Sequence, residues 1–125
     1  MAPSSLRWGR IVLGGVLAEL VLIAAAIPLY MTGQGQTPVT VLAVAGSFFV
    51  FLPIAWWLSR SIQQPILHGV LMGATAAAIY LTLQVLQQTF DPNAAQVPAI
   101  YYVAHVLKLA GGATGGWLAQ RRSVA

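Results

Sequence analysis

The sequence predicts an all-α polytopic membrane protein, a four-transmembrane-helix bundle with both termini in the cytoplasm. Three observations carry this. First, the 125 residues are 58% hydrophobic and 6% charged, with a mean hydropathy of +0.79, whereas soluble domains carry roughly 25% charged residues. A chain so apolar cannot cover its own surface with polar groups, so part of its solvent must be lipid. Second, the apolar residues fall into four runs, each near the roughly 20 residues a helix needs to cross the hydrocarbon core. Third, no run alternates with the period of two that barrel strands require. The connections are too short for an extramembrane domain, so residues 1–125 read as a single transmembrane domain.

Span 1 runs from Ile11 to Met31, behind Arg7, Trp8 and Arg10. Two arginines, an apolar run and Ala24-Ala25-Ala26 share the outline of a cleavable signal peptide. Glu19 inside the run, and its continuation through Leu29 and Tyr30, argue instead for a retained span. Thr32 to Pro38, rich in Gly and Pro, leads into span 2, Val39 to Leu58. Phe48, Phe49, Phe51, Trp56 and Trp57 make span 2 bulky, so it is expected to be the most lipid-exposed, kinked or loosened near Pro53. Ser59 to Pro65 then joins it to span 3, Ile66 to Leu86. A longer connection, Gln87 to Gln96, carries Phe90-Asp91-Pro92-Asn93 turn chemistry and leads to span 4, Val97 to Leu118. Spans 1 and 3 share a faint likeness (Gly15-Val16-Leu17 against Gly69-Val70-Leu71), which the commonness of these residues in membranes explains.

Orientation follows from the basic residues. Arg7, Arg10, Arg60, Arg121 and Arg122 all flank the same ends of the spans, and the loops after spans 1 and 3 contain no Lys or Arg. The positive-inside rule places that side, and both termini, in the cytoplasm. Trp8, Trp56, Trp57 and Trp117 fall at this inner boundary, and Tyr30, Phe90, Tyr101 and Tyr102 near the outer one. Size and simplicity suggest a bacterial cytoplasmic (inner) membrane.

Helices in lipid associate through small residues that let backbones approach. Span 1 offers Gly14, Gly15 and Ala18. Span 3 offers Gly69, Gly73 and Ala77. Span 4 carries two ladders side by side, Gly111, Gly115 and Ala119 beside Gly112 and Gly116. These faces predict tight packing of spans 3 and 4 near the cytoplasmic leaflet, with each other or with span 1.

Two ionisable residues of opposite sign lie deep in the spans. At 1.5 Å per residue, Glu19 sits about 13 Å and Lys108 about 17 Å above the inner boundary, within a helical turn of each other. An isolated charge near the bilayer centre costs about 3 kcal/mol on insertion scales. Pairing is the cheapest arrangement, which predicts that spans 1 and 4 are neighbours with Glu19 facing Lys108. Tyr101, His105, Lys108, Gly112, Gly115 and Ala119 share one stripe of span 4, and Tyr80, Thr75, Thr82 and Gln84 of span 3 can join the same polar interior. Such a pair fixes helix register and partner choice. A functional reading makes Glu19 a binder of protons or a cationic substrate, with His105 as a nearby proton acceptor.

Several function classes are excluded or left without support. No cysteine is present, so no disulfide or thiol chemistry is possible. His68 and His105 differ in depth by roughly 18 Å, too far to share one haem, and no metal site, cofactor or catalytic set is expected. His68, beside Pro65, reads as a satisfied interfacial histidine. Gly111 to Gly116 is no phosphate loop, because no Lys-Ser/Thr follows it. A pI near 10.2 does not indicate nucleic acid here, since the six Lys and Arg form no basic face. The expected partners are the lipid bilayer and a second copy or another membrane protein.

Leu13-Gly14-Gly15-Val16-Leu17-Ala18-Glu19 resembles the first helix of the small multidrug resistance family. Those are four-span, proton-coupled exporters of similar length with an essential glutamate midway along that helix. The resemblance covers about seven of 125 residues and implies Glu19 as a site contested by protons and a lipophilic cation. Span 3 lacks a tryptophan to match the family's substrate-lining one, Lys108 puts a cation in the interior, and the charge bias fixes one orientation. The expectation is therefore a non-enzymatic structural, scaffolding or modulatory bundle held by Glu19 and Lys108, with a small proton- or ion-coupled transporter as the alternative.

Overall fold

The computed structural model describes residues 6–33, 35–93 and 99–124. Five helical segments make four rods: α1 (Trp8–Met31), α2 (Gln36–Phe49) running on into α3 (Phe51–Leu58), α4 (Pro65–Phe90) and α5 (Ile100–Val124). No strand occurs among the described residues. Span 4 was expected to begin at Val97, which lies outside the described residues.

The punctuation has identifiable causes. Thr32 ends α1 by turning its hydroxyl back onto the Leu29 carbonyl at 2.8 Å, and Gly33 follows with φ +68°, a conformation L side chains resist. The second rod breaks at Val50. Pro53 has no N–H to give the Phe49 carbonyl, and its ring crowds that oxygen. Pro65 opens α4 at a position where its missing N–H costs nothing. Asp91 leaves α4 in an extended conformation because Pro92 excludes the helical one, and Asp91 Oδ1 accepts the Asn93 N–H at 3.1 Å.

Around the bundle, α1 touches α4, α4 touches α5, α5 lies along α2 and α3, and these return to α1. Gly69 meets Gly112 and Gly116 meets Pro65, so α4 and α5 are antiparallel. Gly111 meets Phe48 and Gly115 meets Leu52, so α5 runs parallel to α2 and α3. Two expectations are corrected by this order. Spans 1 and 4 are not neighbours but stand on the diagonal, with no Cα of α1 within 8 Å of one in α5. Span 2 is not the most lipid-exposed, for its apolar window buries 28%, the same share as α1 and α4. Its bulky residues divide between faces: Phe49 and Trp57 point outward while Phe51, Ala55 and Leu58 are buried.

The two ladders of span 4 thus serve different neighbours. Gly112 and Gly116 face α4, while Gly111 and Gly115 face α2 and α3. Gly14 and Gly15 receive Met72 and Thr75 of α4. The closest approach is at Gly69 and Gly112, where a Cβ on either residue would overlap the other's carbonyl oxygen. Buried apolar side chains join the helices: Ala18, Leu22, Phe51 and Ala76 cluster, with Ala55, Leu58 and Met72 forming a second cluster.

Three rods, Trp8–Met31, Thr37–Leu58 and Pro65–Phe90, are long and apolar enough to cross a membrane. α5 is as long, at 25 residues, but its Lys108, His105 and four glycines lower its apolarity. These are the groups it turns towards the other helices, where Lys108, His105 and Gly111, Gly112, Gly115 and Gly116 are buried.

Candidate functional site

Glu19 sits one turn beyond Gly15 on α1, and Lys108 occupies the face of α5 clamped by α4. A Cβ on Gly73 would stand 2.5 Å from the Lys108 carbonyl oxygen, so the lysine backbone is held against α4. Its four-carbon stem crosses the bundle interior and brings Nζ onto Glu19 Oε1 as an ion pair. The lysine side chain is 4% exposed and the glutamate 15%. The pair forms although the helices are diagonal, because two long side chains span a gap that glycine contacts keep narrow.

Tyr80 of α4 lies under this crossing, its ring centroid 5.2 Å from Lys108 Nζ, within cation–π range. Tyr80 also lies nearly parallel to Tyr101, at 6.5 Å and 11°, and tilts against His105 at 4.7 Å. Tyr102 meets His105 edge-on at 6.4 Å. The structure therefore brings together Glu19, Lys108, His105, Tyr80 and Tyr101. Thr75 does not join them. Its hydroxyl donates to the Leu71 carbonyl at 2.8 Å, and it borders a separate groove with Ala78, Ile79, Thr82 and Leu83. Thr82 is likewise outside the cluster.

Beside the ion pair, towards the ends of the helices remote from the arginines, is a partly open cavity of about 260 Å³. Glu19, Lys108, His105, Tyr80 and Tyr101 line one part of it. The remainder is mostly aliphatic, from α1 and from Val39, Leu42 and Ala43 of α2. The α2 wall escaped the sequence reading, which had assigned span 2 to lipid. Ser47 was the signal that could have found it: a buried serine in an apolar span, donating to its own helix at the Ala43 carbonyl.

His68 is elsewhere, at the end of the bundle that gathers Arg7, Arg10 and Arg60. It is fully buried. Nε2 accepts the Arg7 backbone N–H at 2.9 Å, and Nδ1 donates to the Gln64 carbonyl, also at 2.9 Å. Arg10 reaches across the same end to the Leu58 and Arg60 carbonyls at 3.1 and 3.2 Å, the first of them at the end of α3, where a helix carbonyl has no partner within its own helix. Arg60 packs over Trp56 and Arg121 over Trp117, at 4.9 and 5.0 Å.

No protein-family model, curated protein or solved structure matches this chain. The likeness to the small multidrug resistance exporters thus rests on the seven residues Leu13 to Glu19, and the site must be interpreted from its own chemistry.

Proposed function

We propose that the chain is a four-span integral membrane protein, with both termini cytoplasmic, that works as a structural or modulatory component of a bacterial inner membrane and not as an enzyme. The observation that carries this reading is that Glu19 and Lys108 satisfy each other across the diagonal of a glycine-packed bundle. α5 is the fourth span, its polar groups spent on the interior and not on lipid. Arg7, Arg10 and Arg60 at one end set the orientation. A charge held by its own partner fixes which helices oppose which and in what register, the task of a scaffold.

The test is a double-mutant cycle on purified protein in detergent. Glu19→Gln or Lys108→Met alone should cost about 3 to 5 kcal/mol, because each leaves a buried charge unpaired. The double variant should regain much of that loss. Single variants that unfold no more readily than the parent would overturn the structural role.

The cavity beside the pair favours a second reading, a small proton- or ion-coupled transporter using Glu19. In that case Glu19→Gln should stay folded and lose proton-coupled uptake in proteoliposomes.

A further inference from the structure

Beside the ion pair the bundle has a cavity of about 260 Å³, open on one side to the bundle surface. Three observations describe what that space would accept. His105, which lines it, is only 9% exposed, and its Nδ1 has no hydrogen-bond partner among the described residues. Buried polar nitrogens are nearly always partnered, so this site has a hydrogen bond left to make. The Tyr80 and Tyr101 rings, stacked on each other, both line it. Lys108 and Glu19 already neutralise each other.

We propose that the cavity binds a neutral molecule of two fused rings bearing one hydroxyl, its rings against the tyrosine and aliphatic walls and its hydroxyl bonded to His105. Size sets the ring count, since an apolar cavity of about 150 Å³ takes up benzene and this one has room for a second ring. Tyrosine rings in the lining suit edge-on or offset contact with a fused-ring ligand. A charged ligand would have to break the ion pair or be buried without a counter-charge, and a neutral one does neither. A hydroxyl suits either tautomer of the imidazole, because it both donates and accepts. Nδ1 is shielded from the open space, so binding includes a turn of the His105 ring about χ2. Access is from the lipid: Ile23, Ile27 and Tyr30, on the rim, are each more than half exposed.

Four probes that share one ring system test this: 1-naphthol, naphthalene, 1-naphthoate and 1-naphthylmethylammonium. Each is titrated against the purified protein in detergent, with binding followed by probe fluorescence and by the shift in unfolding temperature. We expect saturable binding of 1-naphthol at one per chain. Naphthalene should bind about tenfold more weakly, the worth of one hydrogen bond, and the two charged probes should not saturate. His105→Phe should reduce 1-naphthol to the level of naphthalene and leave naphthalene unchanged. Ala26→Phe, which fills the cavity from α1, should abolish binding of both with helix content intact; Ala43→Leu fills it from α2 if that variant does not fold. Undiminished 1-naphthol binding in the filled variant would show partition into micelles and overturn the proposal. Tighter binding of a charged probe would also overturn it, since the ion pair would then open for a ligand. Neither result bears on the stability cycle at Glu19 and Lys108, so the two proposals fail separately.

Discussion

At the scale of single residues, His68 shows how a buried polar group can be fully committed. Its two ring nitrogens hold one donor and one acceptor, which selects the neutral tautomer protonated on Nδ1. Arg7, the residue that caps α1, has no side-chain cap of its own, so His68 supplies the acceptor from α4. His68→Phe keeps the ring and strands the Arg7 N–H. It should cost about 1 to 3 kcal/mol in unfolding measurements, and His68→Gln, whose amide oxygen can still accept, should recover part of that. The sequence led to the expectation of a satisfied histidine at 68, but could not say by whom, because its partner is 61 residues away. Glu19 and Lys108 were readable as a pair since opposite charges at one depth in lipid leave few alternatives. Thr75 was misread for the converse reason: it packs on Gly15 of α1 and spends its hydroxyl on its own backbone, so polarity alone does not place a residue in the cluster.

Between whole helices, contact is decided by what the backbone must meet. Gly112 and Gly9 are both helical glycines, yet a Cβ on Gly112 would run into the Gly69 carbonyl, whereas one on Gly9 has nothing within 4 Å. Gly112→Ala should therefore destabilise by about 3 kcal/mol, at the upper end of overpacking costs. Gly9→Ala should leave stability unchanged or raise it slightly, since alanine is the better helix former. Unfolding of the two variants side by side checks this. Helical periodicity made the glycine faces legible, but periodicity assigns a residue to a face and not to a neighbour. The two ladders of span 4 were visible while their division between α4 and the second rod was not. Span 2 was misjudged because bulky aromatic residues suit either lipid or a core, and Phe49 and Phe51 take one each.

For the molecule as a whole, the ring order α1, α4, α5 and the second rod could not be read from the chain. Short connections allow both neighbours and diagonals, and long side chains pair across either. Direction in the membrane is a separate matter that charge asymmetry addresses, and the absence of cysteine makes it simple to test. Single cysteines at Ser61→Cys and Gln88→Cys, treated with a membrane-impermeant maleimide, should report opposite sides. The first should label only in inverted vesicles and the second in intact cells. The reverse pattern would turn the orientation over.

The ion pair also imposes a timetable. Its partners are 89 residues apart, and a ribosome adds about 5 to 20 residues per second. For roughly 4 to 18 seconds of every synthesis, Glu19 has been made and Lys108 has not. The bundle can close across its diagonal only when α5 arrives, so this pair is among the later contacts of assembly. A chain stopped short of Lys108 leaves the Glu19 carboxylate on α1 without the ammonium that meets it in the finished bundle.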